Sequence, residues 1–118
     1  MSYVRSVDVT VTTNVGGVGL FYTDILNGTV VQVQYVKTDF DVGVDFTIRT
    51  ATTQRDIWVQ ENVDASVTIA PGVLVSNSAN GSAATDAWAP VVVRDEKIQV
   101  YVASAGASHT GLFRFFLE

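Results

Sequence analysis

The chain has no cysteine and a single histidine among its 118 residues. Without cysteine it can form neither a disulfide framework nor a thiolate zinc site, and one histidine excludes a histidine-rich metal site. No run approaches the roughly 20 apolar residues of a transmembrane helix, and no apolar segment of the signal-peptide kind precedes the first alternating run. We therefore expect a protein made in the cytoplasm, with no membrane partner.

Charge is also scarce. Charged residues make up 16% of the chain, hydrophobic residues 47%, and the net charge is -5. This balance argues against nucleic-acid binding, which depends on Lys and Arg contacts to phosphate. The low charged content predicts that partners cover part of the surface. At this length we expect one domain, residues 1–118, which buries about two-thirds of its unfolded surface.

The chain is rich in short runs in which apolar and polar residues alternate, as strand side chains do. No window shows the 3.6-residue period of a helix. The runs predict strands at 3–13, 19–24, 29–37, 44–50, 56–61, 65–70, 91–93, 97–102 and 112–118, with 73–75 ambiguous. They indicate an all-β fold, a single antiparallel β-sandwich, jelly-roll-like, of about eight to ten strands.

Two hairpins and one long loop are predicted. The Gly-containing segment 103–111 lies between the last two runs and predicts a C-terminal hairpin. Asn27-Gly28, between apolar flanks, predicts another hairpin turn. Residues 76–87 are the longest stretch of low hydrophobicity and are rich in Ser, Ala, Asn and Gly, which predicts a mobile or partner-ordered loop. The expected core faces of the C-terminal hairpin are Ile98, Val100 and Val102 on one strand, and Phe113, Phe115 and Leu117 on the other.

Asp39, Asp41 and Asp45 surround Gly43, and clustered carboxylates are the ligands of Ca²⁺. The EF-hand pattern fails, because its glycine is misplaced and Thr50 stands where the bidentate glutamate belongs. A glycosidase-type carboxylate pair is the remaining enzymatic interpretation. We expect a solvated acidic loop and no cofactor.

His109 lies in the loop between the last two runs. A hydrolase triad needs an acid and a nucleophile beside the histidine, and the chain has no G-x-S-x-G elbow. Gly16-Gly17 precedes a strand-like segment and not the helix that a phosphate loop requires. We therefore expect an exposed loop histidine, a turn at the glycines, and a protein that is not an enzyme.

Four aromatic residues are candidates for an interface: Trp58, Trp88, Tyr101 and Phe116. Tyr101 lies on the face opposite Ile98 and Val100, and Phe116 lies on the face opposite Phe115. Only one face of each strand in a sandwich points into the core. Tyr101 and Phe116 are therefore expected at a partner surface, unless a loop or a second layer covers them.

Several segments resemble small virion structural proteins of tailed bacteriophages. These are the opening run 2–13, Val44-Asp45-Phe46-Thr47-Ile48, Asp56-Ile57-Trp58-Val59, and the closing run 110–115. The resemblance covers most of the chain. It implies a capsid cement or decoration protein of β-sandwich type that binds the major capsid protein, is located in the virion and is made in the host cytoplasm.

The functional expectation is a non-enzymatic protein that stabilises the head shell as a homo-oligomer, either a trimer or a dimer. A tail or head–tail connector subunit is a second hypothesis. A carbohydrate-binding module that stacks sugars on Trp58 or Trp88 is a third. An enzyme that uses the Asp39 and Asp41 loop is a fourth, and the sequence favours it least.

Overall fold

The computed structural model describes residues 4–71, 73–76, 83–89 and 91–118, and the side chains of 4–71 and 91–118. This part of the chain forms strands and turns, and no helix in it is long and apolar enough to cross a membrane. Its strands are β1 Arg5–Thr12, β2 Gly19–Tyr22, β3 Leu26–Lys37, β4 Val44–Thr50, β5 Asp56–Val63, β6 Val67–Ile69, β7 Val73–Ser76, β8 Ala83–Ala89, β9 Val91–Glu96, β10 Ile98–Ala103 and β11 Thr110–Leu117.

The strands form two antiparallel sheets that pack face to face. Sheet A has the order β1-β11-β3-β6, and β9 pairs with β3 beside β6. Sheet B has the order β2-β10-β4-β5, and β7 pairs with β8 separately. When β7, β8 and β9 are set aside, the remaining eight strands have the order of a jelly roll. The predicted antiparallel β-sandwich is therefore confirmed.

The core lies between the sheets and follows the predicted alternation. Ile98, Val100 and Val102 on β10 are fully buried, as are Phe113, Phe115 and Leu117 on β11. An aromatic cluster fills the centre. Its ring centroids are 5.2 Å apart for Tyr35 and Phe113, 5.1 Å for Phe46 and Phe113, and 4.7 Å for Phe46 and Trp58.

The predicted C-terminal hairpin is wrong. β10 pairs with β2 and β4 in sheet B, whereas β11 pairs with β1 and β3 in sheet A. The loop between them crosses from one sheet to the other. A hairpin would set both apolar faces side by side on one sheet, but the crossing sets them opposite each other, so that each covers the other.

The predicted hairpin turn at Asn27-Gly28 is also wrong, because both residues lie inside β3. The register with β9 shifts between Leu26 and Asn27, which marks a β-bulge. Gly28 has a φ of 146°, and a Cβ there would lie 3.1 Å from the carbonyl oxygen of Glu118. The glycine thus serves a bulge and a close approach of two main chains, and not a turn.

The predicted loop 76–87 is shorter than expected. Residues 83–87 belong to β8, which pairs with β7. Residues 77–82 lie outside the described part of the chain. The sequence of β8 has no apolar–polar alternation, and alternation was the signal used to predict strands. The sequence therefore did not indicate β8, which pairs with β7 through main-chain hydrogen bonds.

Candidate functional site

The outer face of sheet B carries a row of side chains that crosses all four strands and is apolar on three of them. Leu20 on β2 lies opposite Tyr101 on β10, Tyr101 lies opposite Thr47 on β4, and Thr47 lies opposite Val59 on β5. Leu20 is 48% exposed, Tyr101 39% and Val59 51%. Directly opposite residues in antiparallel strands are in side-chain contact range, so these four residues form one continuous surface, the sheet B row.

The row faces outward because its neighbours along each strand face inward. Thr47 lies between buried Phe46 and Ile48, and Tyr101 lies between buried Val100 and Val102. Since strand side chains alternate, filling the core with these neighbours leaves Thr47 and Tyr101 on the solvent side. The exposed row is thus a consequence of how the core is built.

More apolar surface adjoins the row, and charged groups surround it. Tyr22 lies two residues from Leu20 on β2, hence on the same face, and is 49% exposed. Arg49 lies 3.4 Å from Asp56 at one end of β4, and at the other end Asp45 Oδ1 accepts a hydrogen bond of 2.9 Å from the main-chain N–H of Asn62. An apolar centre with a polar rim is the arrangement of a protein–protein interface.

The two outward aromatics of the C-terminal strands lie on opposite sides of the molecule. Tyr101 belongs to the sheet B row. Phe116 is half-buried on the outer face of sheet A, opposite Ser6 on β1 and Gln32 on β3. A single flat partner surface therefore cannot contact both.

Trp58 lies in the core, where it is 8% exposed and packs edge-to-face on Phe46. This burial does not agree with the expectation that Trp58 lies at an interface or stacks on sugars. Ile57 is buried as well, because the register of β5 with β4 shifts between Ile48 and Arg49 and turns two consecutive side chains inward. Trp88 lies in β8 opposite Leu74, and its side chain is outside the described residues.

The three carboxylates around Gly43 have separate partners. Asp39 Oδ1 accepts a hydrogen bond of 2.5 Å from the main-chain N–H of Thr110, and Asp45 bonds Asn62. Asp41 Oδ1 lies 3.4 Å from His109 Nδ1. Among the side chains described, no group of three or more His, Cys, Asp or Glu residues is arranged to hold a metal ion. Asp39 and Asp41 thus tie the β3–β4 loop to the chain at Thr110 and His109, and Asp45 connects β4 to β5.

His109 is held between loops at one end of the sandwich. Its side chain is 33% exposed, so it is partly buried and not exposed as expected. Its Nδ1 lies 3.0 Å from the carbonyl oxygen of Ala105, and its main-chain N–H donates a bond of 3.0 Å to Thr13 Oγ1. The Thr13 hydroxyl in turn donates a bond of 2.6 Å to the carbonyl oxygen of Gly106. These contacts join the β1–β2 and β10–β11 loops, which gives His109 a structural role.

A groove of about 410 Å³ lies between the edges of the two sheets, where β5 and β6 diverge. The edge of Trp58 and the side chains of Val67 and Ile69 contribute to its apolar wall. Two of its polar groups are already engaged: Asp64 accepts a hydrogen bond from Gly43 N–H and Ser66 accepts one from Lys37 N–H. The groove is therefore mainly an apolar cleft.

The sequence interpretation found Tyr101 but missed Leu20, Tyr22 and Val59. Their alternation with inward neighbours was visible, but their alignment with Tyr101 depends on the register between strands that are far apart in the chain. No known family matches this sequence, and no curated protein matches it either.

Proposed function

We propose that this chain is a non-enzymatic structural subunit that attaches to a larger assembly through the sheet B row. The observation that supports this proposal is the row itself. An exposed, mainly apolar row, with Arg49, Asp45 and Asp56 at its rim, is costly to leave in water and suits a protein partner.

The specific form that we propose is a virion protein of the capsid cement kind, bound to the major capsid protein. This part rests on the sequence resemblance described above, because the jelly-roll fold serves many functions and does not by itself indicate one. The outward Tyr101 adds a rigid aromatic of the kind that anchors protein interfaces.

The test combines location with a surface variant. In purified virions that carry this chain, mass spectrometry should find it at many copies per head. Purified chain should also co-sediment with capsids that lack it. Tyr101→Lys should weaken this binding at least about tenfold, because a charge would be buried at the centre of the contact. Gln32→Lys, on the outer face of sheet A, is the matched control and should bind like the wild type.

Other outcomes would overturn parts of the proposal. If mass spectrometry finds only a few copies, located in the tail, the protein would be a tail or connector subunit and not a cement protein. Normal capsid binding by Tyr101→Lys, with the fold intact by circular dichroism, would show that the sheet B row is not the attachment surface.

Sugar binding is a second candidate because Gln60, Asn62 and Asp64 line the groove beside Trp58. Amide and carboxylate groups next to an aromatic edge suit sugar hydroxyls. The candidate is weaker because the faces of Trp58 are covered by the core, so no ring face is open for stacking. Binding on a glycan array that is lost in Gln60→Ala would favour it over the structural proposal.

A further inference from the structure

β1 forms one edge of sheet A. Its 8 residues pair with β11 without a register shift, from Arg5 opposite Leu117 to Thr12 opposite Thr110. In the part of the chain that the structure describes, no strand pairs with the other edge of β1. A long, regular edge of unpaired main-chain groups is a template for pairing with another strand.

The other edges among the described strands of the two sheets are less suited to pairing. β2 has 4 residues and β6 has 3. β5 and β9 are longer, but their registers shift at β-bulges. Short strands and bulges are the devices by which proteins prevent edge pairing. β1 has neither a bulge nor a proline or lysine, so it lacks these protections.

The hydrogen bonds of β1 show which of its main-chain groups point outward. The N–H of Thr13, directly after β1, donates to the carbonyl oxygen of His109, directly before β11. Because hydrogen-bonded and non-bonded residues alternate in an antiparallel pair, odd-numbered residues of β1 bond to β11. The N–H and C=O groups of the even-numbered residues therefore point to the free edge. These residues are Ser6, Asp8, Thr10 and Thr12.

We propose that the free edge of β1 pairs antiparallel with β1 of a second copy of this chain, around a two-fold axis at Val9. Asp8 then lies opposite Thr10 of the second copy, and Ser6 lies opposite Thr12 of the second copy. Each Asp8–Thr10 pair exchanges both of its N–H···O bonds. The Ser6–Thr12 pairs contribute less, because Gly19 lies beside the carbonyl oxygen of Thr12, where an added Cβ would be 3.3 Å away. The two A sheets join into one continuous sheet.

In this register, compatible side chains lie opposite each other on both faces of the joined sheet. Val9 lies opposite its own copy and Val7 lies opposite Val11 of the second copy, so the core-facing residues remain on the core side. Val9 is 6% exposed and Val11 is fully buried within one chain, so these pairs match in face but add little new contact. A shift by one residue would turn every side chain to the wrong face. The register centred on Asp8 would set two like charges directly opposite each other, which is unfavourable.

A second copy is the occupant that this edge fits, because the sequence of β1 complements itself in that register and two-fold dimers are the commonest closed assembly. The inference does not rest on the function proposed above, since it concerns the edge of sheet A and not the face of sheet B. The two surfaces can be tested separately.

The first experiment removes one donor from the edge. Proline has no N–H, and the N–H of Thr10 points away from β11, so Thr10→Pro blocks edge pairing without removing a bond to β11. Sedimentation equilibrium of the full chain should show a dimer whose dissociation constant rises at least about tenfold in this variant. Thr10→Ala keeps the N–H and is the matched control, which should dimerise like the wild type.

A second experiment tests the register with variants that keep the main chain. Thr10→Lys sets a cation opposite Asp8 of the second copy and should tighten the dimer a few-fold, whereas Thr10→Asp should weaken it. The chain has no cysteine, so the double variant Ser6→Cys with Thr12→Cys should give a covalent dimer on oxidation. Paired Cα atoms are about 5.5 Å apart in such a ladder, within disulfide range. Ser6→Cys alone has no matching cysteine and should remain uncrosslinked.

A wild-type chain that stays monomeric at hundreds of micromolar, or that forms a trimer, would overturn the proposal. Equal dimer affinities for Thr10→Lys and Thr10→Asp would overturn it as well, and these two variants decide the matter if Thr10→Pro fails to fold. Loss of capsid binding in Tyr101→Lys with the dimer intact would leave this inference standing, because that variant alters only the sheet B row.

Discussion

Phe40, in the loop between β3 and β4, packs on the main chain of Gly111 at the start of β11. A Cβ at position 111 would lie 2.4 Å from the Phe40 ring, so no other residue fits there without displacing the ring. Phe40 is 2% exposed and stacks on Tyr35 with a centroid distance of 6.2 Å. A loop residue thus closes one end of the aromatic core, and a glycine makes room for it.

Gly111→Ala should therefore destabilise the fold by about 1–3 kcal/mol, as overpacking of a filled core does. Urea unfolding measures the change. Gly16→Ala is the control, because Gly16 is exposed and an added Cβ would meet only the Asn14 side chain, at 3.3 Å. Combining Gly111→Ala with Phe40→Leu should recover part of the loss. Equal stability of Gly111→Ala and the wild type would show that the ring moves aside freely.

Phe115→Ala should cost about 3–5 kcal/mol of unfolding free energy, because Phe115 is fully buried between the sheets. Arg114→Ala should cost much less, since Arg114 is half-buried on the outer face and pairs with Asp8 at 2.9 Å. Denaturant titration of both variants tests this contrast. A loss under about 1 kcal/mol for Phe115→Ala would contradict the assignment of the core face.

The hydroxyl of Tyr35 is buried, and within the described residues it has no hydrogen-bond partner. Burying such a group unpaired costs about 1–3 kcal/mol, so Tyr35→Phe should leave the protein equally stable or more stable. A clear destabilisation would indicate a partner for this hydroxyl, such as a bound water.

Burial raises the pKa of Tyr35 to about 12. The unfolded chain ionises this phenol near pH 10, so the folded state retains the proton longer and stability falls as the pH rises from about 10 to about 12. Tyr35→Phe should remove this part of the alkaline loss, as measured by urea unfolding across that range. Tyr101→Phe, at an exposed site, should leave the alkaline loss of stability unchanged.

Glu96 is 5% exposed. Its carboxylate accepts bonds of 2.9 and 3.0 Å from the N–H groups of Thr52 and Thr53, and one of 3.0 Å from the Thr53 hydroxyl. Desolvation would raise the pKa of Glu96, but these hydrogen bonds and the charge of Arg55 outweigh it, so the pKa lies below its ordinary value. Glu96 therefore stabilises the fold above the unfolded pKa of about 4.3, and the contribution is lost as the pH falls through the lower folded pKa.

Glu96→Gln should accordingly be less stable at neutral pH, by on the order of 1–2 kcal/mol, because a neutral amide accepts these bonds more weakly. The difference from the wild type should shrink as the pH falls below about 4, in unfolding curves measured from pH 7 to pH 3. Glu61→Gln, which alters an exposed carboxylate, is the control and should follow the wild type. A difference that stays constant over this range would exclude the ionised carboxylate as its source.

The sequence by itself determined where most strands lie and which of their faces are buried. The predicted range 44–50 coincides with β4, and Val44, Phe46 and Ile48 are buried as their alternation indicates. Alternation indicates which face of a strand is buried, because burying apolar side chains away from water is favourable. It also indicated that Tyr101 points outward, which is the part of the candidate site that the sequence contains.

Only the tertiary structure decided which strands are neighbours. Main-chain hydrogen bonds are the same for every strand, so a local pattern does not say whether β11 pairs with β10 or with β1 and β3. A β-bulge has no local sequence signal either, so the sequence did not indicate that the side chain of Trp58 points into the core. The sheet B row and the free edge of β1 both arise from pairings between distant segments, where mutual burial of two apolar faces selects the arrangement.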